Sequence, residues 1–84
     1  MLRVLYFASV REAVGVGEEL LDLPPDAATV SALVDWLATI SETHRAAFAD
    51  RSRLRAAIDG RFVPLDAELG EPEEVALFPP VTGG

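Results

Sequence analysis

The sequence predicts an α+β domain, a small mixed sheet with one long helix packed across it. Three observations carry that prediction. Short runs rich in aliphatic, aromatic and β-branched residues lie toward both ends of the chain, at Leu2 to Ala8, Glu18 to Leu23, Leu54 to Ile58, Arg61 to Pro64 and Val75 to Phe78. Between them, Val30, Leu33, Val34, Leu37 and Ile40 recur at helical spacing and make one apolar stripe. Asp59-Gly60 separates two of the runs and is the strongest short hairpin signal in the chain.

Each element has a local reason. Leu2 to Ala8 reads as the first strand. Ser9 to Val14 reads as a short helix, with Ser9 as N-cap and Gly15 as its stop. Glu18 to Leu23 is the second strand, ended by Pro24-Pro25, and it forms a hairpin with the first around the short helix. Thr29 caps the long helix, with Trp36 at the edge of its stripe. Thr43 to Asp50 is weakly helical. Leu54 to Ile58 and Arg61 to Pro64 form the hairpin, and Pro64 ends the fourth strand. Asp66 caps a turn around Ala67 to Gly70. The acidic loop Glu71-Pro72-Glu73-Glu74 feeds the last strand, Val75 to Phe78.

With 84 residues the chain makes one domain, assigned to residues 1–80, followed by an extended, flexible C-terminal tail over 81–84. There is no Cys, which removes disulfides, thiolate metal sites and cysteine nucleophiles. No apolar stretch approaches the ~20 residues of a membrane span, and the start is too short for a signal peptide. A cytoplasmic protein with no membrane partner is expected. The formal charge of −7 argues against nucleic acid as a partner and favours basic docking surfaces. All seven basic residues are Arg, so no lysine Schiff base is available.

The body of the domain offers little chemistry. His44 is the only histidine and lies between Thr43 and Arg45, which predicts a surface residue rather than a ligand or base. No metal site is expected, and no cofactor bound by the chain itself. The serines lack a nucleophile-elbow context, and Gly15-Val16-Gly17 is a turn into a strand rather than a phosphate loop. Glu71, Glu73 and Glu74 read as a solvated loop. Arg45, Arg51, Arg53, Arg55 and Arg61 read as a solvated face or as ion pairs with the acidic excess. The chain alone is therefore expected to be non-catalytic.

The exception is the end of the sequence, Phe78-Pro79-Pro80-Val81-Thr82-Gly83-Gly84. Pro79 and Pro80 cannot donate ladder hydrogen bonds, so sheet pairing stops there and the chain stays extended. Gly83 and Gly84 remove side chains beside the carboxylate, so the backbone fits a narrow channel. Four residues beyond Pro80 reach about 13 Å. A disordered tail without meaning is the competing expectation. A free carboxylate is a poor electrophile. Adenylation turns it into a mixed anhydride with a good leaving group, and a sulfur nucleophile then leaves a thiocarboxylate. Phe7, Phe62 and Phe78 are candidates for an apolar docking patch beside the tail, with core burial as the alternative for Phe7.

Two segments carry a resemblance, Val4 to Gly15 and Glu74 to Gly84, and the Leu54 to Ile58 hairpin extends it over the whole chain. The sequence resembles the molybdopterin synthase small-subunit family of ubiquitin-like sulfur carriers. The resemblance implies a ubiquitin-like β-grasp fold. It implies that an E1-like adenylating enzyme uses ATP to make a glycyl adenylate at Gly84. A sulfur-donor protein then supplies the atom that makes the thioglycine thiocarboxylate. It further implies that Pro79, Pro80, Val81, Thr82 and Gly83 engage the molybdopterin synthase large subunit in a heterotetramer. Sulfur then passes to cyclic pyranopterin monophosphate in molybdenum cofactor biosynthesis. Two alternatives stand beside this: a sulfur carrier for thiamine thiazole synthesis or tRNA thiolation, and a ubiquitin-like tagging or binding module.

Overall fold

A computed structural model of the chain describes residues 1–80. The strands are β1 (Leu2–Tyr6), β2 (Glu18–Leu21), β3 (Arg55–Ile58), β4 (Arg61–Val63) and β5 (Glu74–Phe78). They form one sheet in the order β2-β1-β5-β3-β4. β1 and β5 run parallel, and every other neighbouring pair is antiparallel. The helices are α1 (Ala8–Val14), α2 (Val30–Leu37) and α3 (Glu42–Ala47), with a 3-10 turn at Arg51–Arg53. The last strand in sequence thus sits in the middle of the sheet, as in the β-grasp arrangement.

Alternation decides which face is core. Leu2, Val4 and Tyr6 of β1 and Val75 and Leu77 of β5 are buried, while Arg3 between them is exposed. The buried side meets Val30, Leu33, Val34 and Leu37 of α2, each fully buried. The Thr29 hydroxyl accepts from the Ala32 amide at 3.1 Å and starts α2 as expected. The helix ends earlier than its stripe suggests. Thr39 N donates to Trp36 O and Ile40 N to Leu37 O, which tightens the last turn into i→i−3 geometry. That turn swings Ile40 out to solvent, so it is not a core residue.

Three further expectations need adjustment. β1 stops at Tyr6 and β2 at Leu21, short of the predicted ends. Ser9 is not an N-cap: Phe7 holds that position without a side-chain bond, and Ala8 starts α1 with φ +51°. Gly15 ends α1 at φ +100°, where a glycine is favoured. At the hairpin, Asp59 and Gly60 have φ of 48° and 83°, the left-handed pair that a tight two-residue turn demands. The Asp59 carboxylate also accepts from the amides of Glu73 and Glu74 at 3.0 Å each, pinning the acidic loop to the hairpin.

His44 corrects the sequence reading most clearly. It is buried, not a surface residue. Ser41 caps α3 by accepting from the His44 amide, and the first turn of α3 packs the imidazole against Tyr6 and Glu19. Its flanking polar residues, Thr43 and Arg45, do point to water.

Candidate functional site

The face of the sheet away from α2 carries the candidate docking site. Register places Leu5 beside Ala76, Ala76 beside Ala57, and Ala57 beside Phe62, so all four project to that open face. Phe78 follows Ala76 by two residues and shares the face. Phe7 continues the line of β1, its amide donating to Leu77 O at 3.2 Å. The three phenylalanines therefore come together. Phe62 and Phe78 rings lie 5.5 Å apart between centroids, tilted by 46°. Phe62 is 80% exposed and Phe7 49%, so neither is core.

Between the rings runs a groove of about 540 Å³. Ala57 and Ala76 form its floor, and their small side chains leave the space open. Pro79 and Pro80 form the wall where the tail begins. No charged residue lines it. Exposed aromatic surface of this kind is favourable to cover, at ~1.5–3 kcal/mol for each fully buried side chain. Val81, Thr82, Gly83 and Gly84, the remaining predicted site residues, lie outside the described residues.

The opposite face holds a polar cluster that sequence reasoning missed. Tyr6 Oη donates to Glu19 Oε1 at 2.8 Å. The same oxygen meets His44 Nε2 at 2.6 Å, and His44 Nδ1 meets Ser41 Oγ at 2.7 Å. Burial, then the hydrogen bond and charge of Glu19, push the Tyr6 hydroxyl well above its ordinary range. Burial opposes ionisation of Glu19, but hydrogen bonds from His44 and Tyr6 outweigh it and hold the carboxyl below its usual range. A signal for the cluster was present. Tyr6 shares the parity of Leu2 and Val4, which buries it, and a buried phenol needs a partner. The cluster ties β1, β2 and α3 together. Among the described residues no group of three or more His, Cys, Asp or Glu is placed to hold a metal ion. No helix among them is long and apolar enough to cross a membrane.

Comparison with known proteins fits this geometry. The ThiS family model matches residues 4–84. The chain belongs to the ThiS family. A relative from Escherichia coli (strain K12), named "Molybdopterin synthase sulfur carrier subunit", is 42% identical and covers 100% of both chains. A solved structure from Pyrococcus furiosus, titled a putative molybdopterin converting factor, subunit 1, aligns with TM-score 0.70 and 34% identity. It covers 95% of this chain and 97% of its own. SAMP1 from Haloferax volcanii aligns with TM-score 0.71 and 27% identity, covering 99% of this chain and 98% of its own. These likenesses support the ubiquitin-like β-grasp fold.

Proposed function

We propose that this chain is the sulfur carrier of molybdopterin synthase. Its groove docks the protein on partners, and Gly84 carries the sulfur. The observation that supports the reading best is the placement of Phe7, Phe62 and Phe78 beside Pro79 and Pro80, at the root of the diglycine segment. The full-length likeness to a named sulfur carrier subunit points the same way.

The chemistry runs in balanced steps. The Gly84 carboxylate attacks the α-phosphate of ATP on an E1-like adenylating enzyme, forming the acyl adenylate and releasing pyrophosphate. The terminal sulfur of a persulfide on a sulfur-donor protein attacks the acyl carbon, and AMP leaves with its electron pair. A second thiol then cleaves the acyl disulfide, freeing the thiocarboxylate and forming a disulfide with the donor. The product is a thiocarboxylate, a soft nucleophile at neutral pH. Inside the complex with the large subunit its sulfur attacks a side-chain carbon of cyclic pyranopterin monophosphate. The oxygen substituent on that carbon leaves with its electron pair, and an acyl thioester forms. Water then hydrolyses that link, leaving sulfur on the product and restoring the carboxylate. Two sulfurs per dithiolene require two charged carriers. Acid, base and substrate-binding groups come from the partners, since the groove of this chain is lined by apolar residues alone.

The test is the intact mass of the protein isolated from its own cell, with and without the activating enzyme. A gain equal to replacing one oxygen by sulfur, lost without that enzyme, is expected. An amide bond from Gly84 to another protein's amine, with no thiocarboxylate form, would transfer the reading to a tagging module.

A further inference from the structure

The open face of the sheet is graded in charge. At the end where β1 and β5 begin, Arg3 lies 3.7 Å from both Glu18 and Glu74, so the charges there satisfy one another. The middle is the apolar groove. At the far end stands Arg55, the first residue of β3, directly across from Phe78 in register and on the same face. It is exposed, and among the described residues no carboxylate lies within ion-pair distance of it. Arg45 and Arg51 pair with Glu42 and Asp35, whereas Arg11, Arg53 and Arg61, like Arg55, have no carboxylate partner among the described residues. Of these four, Arg55 is the one in register with Phe78. In a chain with 14 acidic residues against 7 basic, a guanidinium unpaired among the described residues and set beside the apolar groove is placed to meet a carboxylate from outside the chain.

The Arg55 side chain is also held in place. Its Nη1 donates to Leu54 O at 2.9 Å and to Ser52 O at 3.4 Å. Those bonds engage one nitrogen and restrict the side chain before any partner arrives, which lowers the ordering cost of binding. The remaining N–H groups keep the fork geometry that suits a carboxylate.

We propose that Arg55 is a specificity-determining docking residue. The protein surface that covers the groove presents an apolar plug and, beside Phe78 where the tail departs, a carboxylate that pairs with Arg55. The inference rests on the groove being the docking site of the carrier, as argued above. A partner that covers the groove strips water from one side of the guanidinium. A carboxylate there replaces the lost hydration with charge-assisted hydrogen bonds. An apolar or cationic group there leaves the charge uncompensated and is rejected. The same requirement falls on any partner that uses this groove.

The experiment measures association of the full chain with the molybdopterin synthase large subunit at low and high salt. The variants are Arg55→Ala, Arg55→Lys, Arg55→Glu and Phe78→Ala, each with a melting curve. Arg55→Ala is expected to weaken binding about tenfold and Arg55→Glu about a hundredfold, with unchanged melting. Arg55→Lys should fall between the parent and Arg55→Ala, because the charge survives and the fork does not. The Arg55→Glu loss should shrink as salt rises. If Arg55→Glu binds within twofold of the parent while Phe78→Ala fails, the groove stands and the role of Arg55 is overturned. If Phe78→Ala also binds like the parent, docking occurs elsewhere and both readings fall.

Discussion

Replacing His44 by Ala should cost the fold heavily without touching the docking face. The imidazole meets the Glu19 carboxylate at 2.6 Å, and hydrogen bonds to a charged group contribute ~1.5–3 kcal/mol. The Glu19 side chain retains 24% exposure, so solvent screens part of the attraction and the low end applies. The imidazole also packs edge-on against Tyr6 with centroids 6.2 Å apart, a contact of ~0.5–1 kcal/mol beyond simple burial. The Ser41 cap survives, because it uses the backbone amide. The sum is about 2–2.5 kcal/mol, or a fall of ~10–20 °C in melting temperature for a domain of this size. Tyr6→Phe, which keeps the ring and loses one hydrogen bond, should cost about 1 kcal/mol. Thermal and denaturant unfolding followed by circular dichroism measure both. The pH dependence has a definite sign. The folded state holds the Glu19 carboxyl below its unfolded range, so its contribution is present above about pH 4.3 and is lost as pH falls through the lower folded value. Glu19→Gln should remove that part of the acid sensitivity. A His44→Ala protein that melts within ~3 °C of the parent would refute the reasoning, because the buried pair would then contribute nothing.

Three other outcomes follow from the structure. Phe62→Ala should leave melting within ~0.5 kcal/mol, since the ring is 80% exposed, yet weaken association with the large subunit at least tenfold by a binding titration. Thr29→Ala should cost about 1 kcal/mol in a denaturant melt through loss of the α2 cap. Deleting Gly84 should leave stability within ~0.5 kcal/mol but abolish adenylation in an assay with the cognate activating enzyme. The loss follows because one residue removes about 3.3–3.6 Å of reach.

Local chemistry announced the elements whose cause is local. Asp59-Gly60 named the hairpin because two left-handed residues in a row leave few alternatives. Thr29 and the spacing of Val30, Leu33, Val34 and Leu37 named α2. The groove was legible in part: its three phenylalanines were picked out, but Phe62 on β4 and Phe78 on β5 lie on strands separated by β3, an order the hairpin alone does not give. What failed was set across the fold. Ile40 fits the stripe by spacing, but the tightened turn at Leu37 is decided by the geometry in which the helix ends. Ser9 has the right chemistry for a cap, yet the cap position falls two residues earlier, at Phe7, whose amide bonds Leu77 O. His44 looked like surface because its flanks are polar, while its partner Glu19 is 25 residues away. Arg55 was grouped with four other arginines, and only the register with Phe78 separates it from them.

The position of β5 links the two faces to one task. A tail leaving an edge strand would move with every fraying of that edge. Here the tail leaves a strand bonded on both sides, parallel to β1 and antiparallel to β3. The core face, with α2 and the His44 cluster, fixes that strand. The open face beside it offers the groove. On the proposed reading, docking through the groove would hold the root of the tail still and confine Gly84 to a radius of about 13 Å, which would raise its effective concentration at a partner's reaction centre. The groove is also small enough to let go. Covering three phenylalanines yields at most ~5–9 kcal/mol by area, against ~4 kcal/mol or more for lost freedom on association. A carrier must leave the enzyme that charges it before it reaches the one that spends the sulfur. A modest apolar groove, with selectivity from one cation as proposed for Arg55 rather than from a large interface, would meet both demands.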